Sequence, residues 1–190
     1  VEVQFFEPGT VPEWTTPEWY AQRERAPHLE QDGHRDRLFL AADFVNSFEM
    51  DPAAYTVSDM GCGDGGLLSL LTECFYCWGY DLQPSNVEGA RERGVDVRLG
   101  NALTDDVEWG DVAVCTEVLE HLIDPHAFVR NIPSRVLIAS SPDGETLDQR
   151  YEFHTFGWDM DGYRALIEQG GYRVVRHESI GFQVLMGVRE

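Results

Sequence analysis

The 190-residue sequence contains no lysine: its 14 basic residues are all arginine, set against 34 acidic ones for a net charge of −20. A field of that sign opposes long phosphate backbones and favours small neutral or cationic ligands. A nucleic-acid partner is therefore disfavoured, unless Arg23, Arg25, Arg35 and Arg37 line one local groove instead of pairing with Glu24, Glu30, Asp32 and Asp36. Long hydrophobic runs are absent as well. The apolar stretches are strand-length, far below the roughly 20 residues that cross a bilayer, and the opening VEVQFFEPGT lacks a basic-then-apolar leader pattern. A cytoplasmic protein with no membrane partner is expected. Cysteine is scarce: Cys62, Cys74, Cys77 and Cys115 are too few and too unevenly spaced for a disulfide framework. No second pair follows the C-x-x-C of Cys74 and Cys77 to complete a tetrahedral zinc site, so reduced thiols packed in the core are expected.

What is present points to one domain, since 43% hydrophobic content over this length supports a single sizeable core. Residues 1–50 read as an N-terminal lid and helical segment and residues 51–190 as a cofactor-binding core. From Tyr55 onward, β-rich runs (AYTVSDM, FYCWGYD, VDVRLG, DVAVCT, SRVLIASS) alternate with helix-like ones (GLLSLLTEC, PSNVEGARERG, DPHAFVRNIP). That alternation predicts an α/β, doubly wound, Rossmann-like sheet, mostly parallel, with helices on both faces. YRVVRHESI and FQVLMGVRE flank Gly181 closely enough to require an antiparallel C-terminal hairpin. Upstream, Leu38, Phe39, Ala42, Val45 and Phe48 predict a helix over residues 34–48. Prolines 8, 12, 17 and 27 keep residues 1–30 irregular. Trp14, Trp19 and Tyr20 there can cover a ligand, or the segment can pack on a sheet edge or a second subunit of a homodimer.

VSDMGCGDGG (57–66) follows a strand and is expected to open a helix. Gly61 permits the tight turn, Gly63 lets backbone approach a ligand, and Gly65 or Gly66 allows close packing. Gly61, Gly63 and Gly66 also satisfy the dinucleotide pattern G-x-G-x-x-G. Asp64 argues otherwise: a loop carboxylate would repel a pyrophosphate but suit a sulfonium cation. GYDLQPSN sets Asp81, with Leu82 beside it, where a carboxylate can accept from two ribose hydroxyls. GNALTDD brings Asn101 and Ala102 to the next carboxyl end, as an adenine contact or as a polar turn.

Together VSDMGCGDGG, GYDLQPSN, GNAL and CTEVLEHLIDP resemble, in this order, the class I S-adenosylmethionine-dependent methyltransferases, from about Tyr55 to the C-terminal end. The resemblance implies a seven-stranded sheet with a reversed terminal strand. It also implies S-adenosylmethionine as cofactor, Asp59, Gly61 and Gly63 near its methionine end, Asp81 on ribose and the GNAL segment on adenine.

CTEVLEHLID raises a separate question. A helix beginning near Thr116 would place Glu117, Glu120 and His121 on one side, beside the transferable methyl group. With His154, from YEFHTFGWD, they make a candidate site for Mg²⁺, Mn²⁺ or Zn²⁺. Without a metal, His154 is a candidate general base and Glu117 a candidate proton acceptor; His154 can equally cover an apolar edge beside Phe153, Phe156 and Trp158. The Glu-x-x-Glu-His pattern is similar to that of two branches of the family. One is the small-molecule O-methyltransferases of the ubiquinone-biosynthesis type. The other is the small-RNA 3′-terminal ribose 2′-O-methyltransferases, where it binds a metal. The expected activity is O-methylation of a small hydroxylated acceptor, with the N-terminal aromatics in the acceptor pocket. The alternatives are ribose 2′-O-methylation of a nucleotide or RNA end, and a non-catalytic or NAD-type binding protein.

Overall fold

The computed structural model describes residues 1–47, 55–71 and 76–190. Phe48, the 50/51 division and Cys74 lie outside the described residues. The strands are β1 (Glu2–Gln4), β2 (Thr56–Met60), β3 (Tyr76–Asp81), β4 (Val97–Leu99), β5 (Val112–Thr116), β6 (Val136–Pro142), β7 (Phe156–Trp158), β8 (Arg173–Ser179) and β9 (Phe182–Val188). The α-helices are α1 (Pro17–Tyr20), α2 (Asp32–Asn46), α3 (Pro84–Arg93), α4 (Pro125–Asn131) and α5 (Met160–Gln169).

Seven strands form one sheet in the order β4-β3-β2-β5-β6-β9-β8. The first five are mutually parallel, and β9 runs antiparallel to both β6 and β8. The expected sheet and its reversed final strand are both observed. The hairpin does not simply extend the edge: its second strand inserts beside β6 and leaves the charged β8 outermost. All of β5 and nearly all of β6 are buried, because helices cover both faces of a parallel sheet and leave no side to water. One apolar layer unites Leu38, Ala41, Phe44 and Val45 of α2 with Val57, Val114 and Ile138. The opposite layer joins Phe128 and Val129 of α4 and Leu166 and Ile167 of α5 to Ala113, Leu137 and Leu185.

Helix α2 matches the predicted element, yet Phe39 turns out to be 52% exposed and Arg37 only 1%. Position 37 lies four residues before Ala41 and seven before Phe44, so the helical period carries it onto the buried stripe. Two predicted helices are corrected. Between the glycine loop and β3 the described residues form a 3₁₀ turn, over Leu68–Leu70, and no α-helix. After β5, Glu117 adopts φ +57°, left-handed backbone that an α-helix cannot accommodate. A 3₁₀ turn then spans Leu119–His121, and α4 starts only at Pro125, where the Asp124 carboxylate accepts from Ala127 N–H. Among the described residues no helix is long and apolar enough to cross a membrane. Cys62, Cys77 and Cys115 are free thiols whose pKa values burial pushes up, which keeps them protonated and unreactive.

Candidate active site

The strand order reverses between β2 and β5, and at the carboxyl ends of β2, β3 and β5 lies a cavity of about 660 Å³. That is the usual position and size of a small-molecule site in an open α/β sheet. Asp59, Gly61, Gly63, Asp81, Leu82, Asn101, Ala102 and Glu117 all line it, so the sequence-predicted cofactor residues converge on one place.

Gly61 has φ +73°, and a Cβ there would meet the Val118 side chain at 2.6 Å. Gly63 has φ +57°, and its missing Cβ would meet nothing within 4 Å, which leaves the backbone open to a ligand. Its N–H donates to Asp81 Oδ2 at 2.8 Å. Asp81 Oδ1 accepts from Gln83 N–H at 2.9 Å and from Asn86 Nδ2 at 3.2 Å. The carboxylate is thereby held rigidly at the end of β3, with part of its acceptor capacity left for a ligand. Burial still raises its pKa, and the three donors oppose that rise. Asn101 Oδ1 accepts from Leu103 N–H at 2.9 Å, so it is at once a turn residue and a cavity wall.

Asp59, next to last in β2, is fully buried, and neither carboxylate oxygen has a partner among the described residues. Burial, then repulsion from Asp81, pushes its pKa up to about 7. The Arg37 guanidinium also reaches the cavity, with Nη1 3.5 Å from Glu117 Oε1 and with Nε and Nη1 making no hydrogen bond among the described residues. A carboxyl group with no partner among the described residues and a guanidinium with N–H donors to spare, facing one cavity, suit a ligand that carries both an ammonium and a carboxylate. No sequence motif marks Arg37 as a site residue; the signal that finds it is a charged residue on the apolar face of α2.

Asp64 corrects the argument that discriminated between cofactors. Its carboxylate is 2% exposed and paired with Arg25 at 2.9 Å and Arg93 at 2.8 Å, so two cations neutralise it and it repels nothing in the cavity. Its role is to tie the N-terminal segment and α3 to the glycine loop. Asp64→Ala strands both guanidinium groups, and the expected loss is about 2 kcal/mol of unfolding free energy in denaturant titrations, below the fully buried case because Arg25 is partly exposed. An unchanged denaturation midpoint would contradict this role.

Glu117 leads away from the predicted metal set. Its Oε1 accepts from Ser140 Oγ at 2.8 Å and faces Arg37. Glu120, His121 and His154 do come together, each offering a ligand atom within 4.8 Å of the others. Thr155 assembles them: its N–H and Oγ1–H both donate to the Glu120 carbonyl, at 2.6 and 2.7 Å, which pins the loop before β7 to the 3₁₀ turn. β1 secures that loop from the far side by pairing with β7, and Phe5 N–H donates to the Thr155 carbonyl at 2.8 Å. His121 Nδ1 faces the Phe153 carbonyl at 3.2 Å, and His154 Nδ1 faces Glu145 Oε2 at 2.6 Å. Each imidazole thus keeps Nε2 for another partner. Burial, then the neighbouring His154, lowers the His121 pKa to about 3, so this ring is neutral at physiological pH. Glu120 is wholly buried with both oxygens unpartnered among the described residues, and burial pushes its pKa well up. One carboxylate and two imidazoles with anchored Nδ1 atoms fit a divalent cation.

The N-terminal segment covers the mouth. Trp19 and Tyr20 of α1 line the cavity, while Trp14 packs on Phe153 with ring centroids 6.2 Å apart. Ser85 Oγ donates to the Arg23 carbonyl at 2.9 Å and Gln83 Nε2 to the Glu24 carbonyl at 2.7 Å. Its aromatic residues thus face the ligand space of their own chain.

Comparison with known proteins agrees with this geometry. A family model described as "Methyltransferase domain" matches residues 18–182. The ubiquinone biosynthesis O-methyltransferase of Rickettsia felis is 28% identical over 109 residues, covering 53% of this chain and 44% of that protein. The chain thus matches less than half the length of that relative. Among solved structures, magnesium protoporphyrin IX methyltransferase from Synechocystis with bound S-adenosylhomocysteine superposes with a TM-score of 0.69 at 16% identity, covering 91% of this chain and 92% of that one. A putative methyltransferase of Haloferax volcanii, solved in complex with a methyltransferase activator, gives 0.67 at 18%, covering 85% and 93%. At such identities these structures attest the fold.

Proposed function

The chain belongs to the class I S-adenosylmethionine-dependent methyltransferases, and from that premise we propose that it methylates a hydroxyl oxygen of a small acceptor. Asp81 binds the ribose hydroxyls of the cofactor, and Asn101 and Ala102 contact the adenine. Asp59 and Arg37 answer the ammonium and carboxylate of its methionine end, which explains why Asp59 is buried unpartnered among the described residues and why Arg37, though it faces Glu117, leaves two nitrogens without a hydrogen bond. The sulfonium methyl then faces Glu117 and His121 on the cavity wall.

The reaction is an in-line displacement in which the acceptor oxygen attacks the methyl carbon as the carbon–sulfur bond breaks, and positioning supplies much of the acceleration. Glu120, His121 and His154 would hold Mg²⁺, Mn²⁺ or Zn²⁺, which when bound supplies Lewis acidity that lowers the pKa of the acceptor hydroxyl. His154, turned by Glu145, presents Nε2 either to that cation or directly to the hydroxyl proton. Glu117 and Ser140 hold Arg37 toward the cofactor. The observation carrying this reading is the buried Glu120, unpartnered among the described residues, beside two imidazoles, of which His121 lines the cavity. The same cluster favours a second reading, in which the acceptor is a ribose cis-diol at a nucleotide or RNA end.

Calorimetry with S-adenosylmethionine, S-adenosylhomocysteine and NAD, followed by transfer of labelled methyl to catechol and to a short RNA with a free 3′ end, tests both. Binding of the first two ligands in preference to NAD, with methylated catechol as product, is the expected result. Methylation of the RNA alone would move the assignment to the second reading. Preferential binding of NAD would refute the cofactor assignment.

A further inference from the structure

We propose that the acceptor carries an oxyanion, a carboxylate or a phosphate, on a planar ring, and that the Arg23 guanidinium at the mouth of the cavity receives it. This deepens the methyl-transfer reading and rests on it.

Acidic residues outnumber arginines 34 to 14 in this chain, and arginines near Arg23 are paired: Arg25 with Asp64 and Glu92, Arg35 with Asp32 and Asp36, Arg37 with Glu117. Arg23 lines the cavity and has no carboxylate within ion-pair distance among the described residues. Its contacts are a face-on approach to Trp19 at 4.2 Å, a looser one to Phe153 at 5.4 Å, and a long 3.4 Å hydrogen bond to the Tyr151 hydroxyl. Stacking orients the planar fork but leaves most of its five N–H donors unused, and a carboxylate or phosphate matches that fork in a bidentate manner.

The backbone that carries Arg23 is fixed. Its carbonyl is held by Ser85, the next carbonyl by Gln83, and the Ala26 N–H donates to Asn86 at 3.2 Å, all at the start of α3 beside Asp81. Arg23 and His121 line the same cavity. One acceptor can therefore touch both the guanidinium and the methyl-transfer end. Trp19, Tyr20 and Tyr151 give that cavity an aromatic lining suited to a ring. Of the two arginines that line the cavity, Arg37 faces Glu117, while Arg23 has no carboxylate partner among the described residues and is the one open to an anionic acceptor.

The test is calorimetric titration of the S-adenosylhomocysteine-loaded protein with benzoate, phenyl phosphate and benzamide. At least one anion is expected to bind about tenfold tighter than neutral benzamide, and the preferred one identifies the source of the oxyanion. Arg23→Met should abolish the preference and Arg23→Lys retain part of it, with S-adenosylhomocysteine affinity and melting temperature unchanged in both. Equal binding of all three probes, no measurable binding of either anion, or a preference that survives Arg23→Met would overturn the proposal. Failure of the wild type to bind S-adenosylhomocysteine would instead refute the cofactor reading beneath it.

Discussion

Asp81→Ala is expected to weaken S-adenosylhomocysteine binding by about a hundredfold, the largest loss of cofactor affinity from any single side chain in the cavity. The carboxylate serves two masters: it accepts from Gly63 N–H, Gln83 N–H and Asn86, and it offers its remaining acceptor capacity to the ribose. Hydrogen bonds to a charged group contribute roughly 1.5–3 kcal/mol each, and removing the acceptor strands buried donors as well. The glycine loop would lose the contact that presents its backbone, so part of the effect is lost preorganisation. About 2.7 kcal/mol corresponds to the hundredfold change. Calorimetry on the folded variant decides it, and a loss of less than about threefold would remove Asp81 from the cofactor site.

The second large effect is on turnover. His154→Ala should lower kcat/KM by about 10²–10⁴, the range general acid–base groups contribute, while cofactor affinity stays within about twofold. Glu120→Met should also lower kcat/KM, and it adds a readout of the opposite sign. A fully buried carboxyl group whose two oxygens are unpartnered among the described residues is destabilising, so the apolar side chain should raise the melting temperature even as it removes activity. A residue kept for packing would show the reverse, a lower melting temperature with normal turnover. Equal loss of cofactor affinity in the His154 and Asp81 variants would contradict the separation of a cofactor end from a transfer end.

Much of the site was legible because its signals are local. The glycine loop, Asp81 and Asn101 each follow a strand directly, and a parallel sheet necessarily gathers such residues at its carboxyl edge. The segment around Glu117 was less legible. Spacing suggested a helix with three aligned ligands, but helical spacing holds only where the backbone is helical, and Glu117 at φ +57° redirects its own side chain to Ser140 and Arg37. The metal-type cluster is built on Glu120, His121 and His154 by Thr155, a residue with no sequence signal of its own.

By itself the sequence determined the class of sheet, its reversed C-terminal hairpin, the glycine loop after β2 and the aromatic character of the N-terminal segment, since these follow from periodicity and turn chemistry within short windows. Only the tertiary structure decided which charges cancel and which remain. Asp64, read as a free carboxylate in the loop, is closed by Arg25 and Arg93; Arg23, in sequence one of a cluster flanked by acidic residues, has no carboxylate partner among the described residues. Ion pairing depends on distance across crossovers that bring together residues 29 and 39 positions apart, and local sequence pattern does not encode that distance.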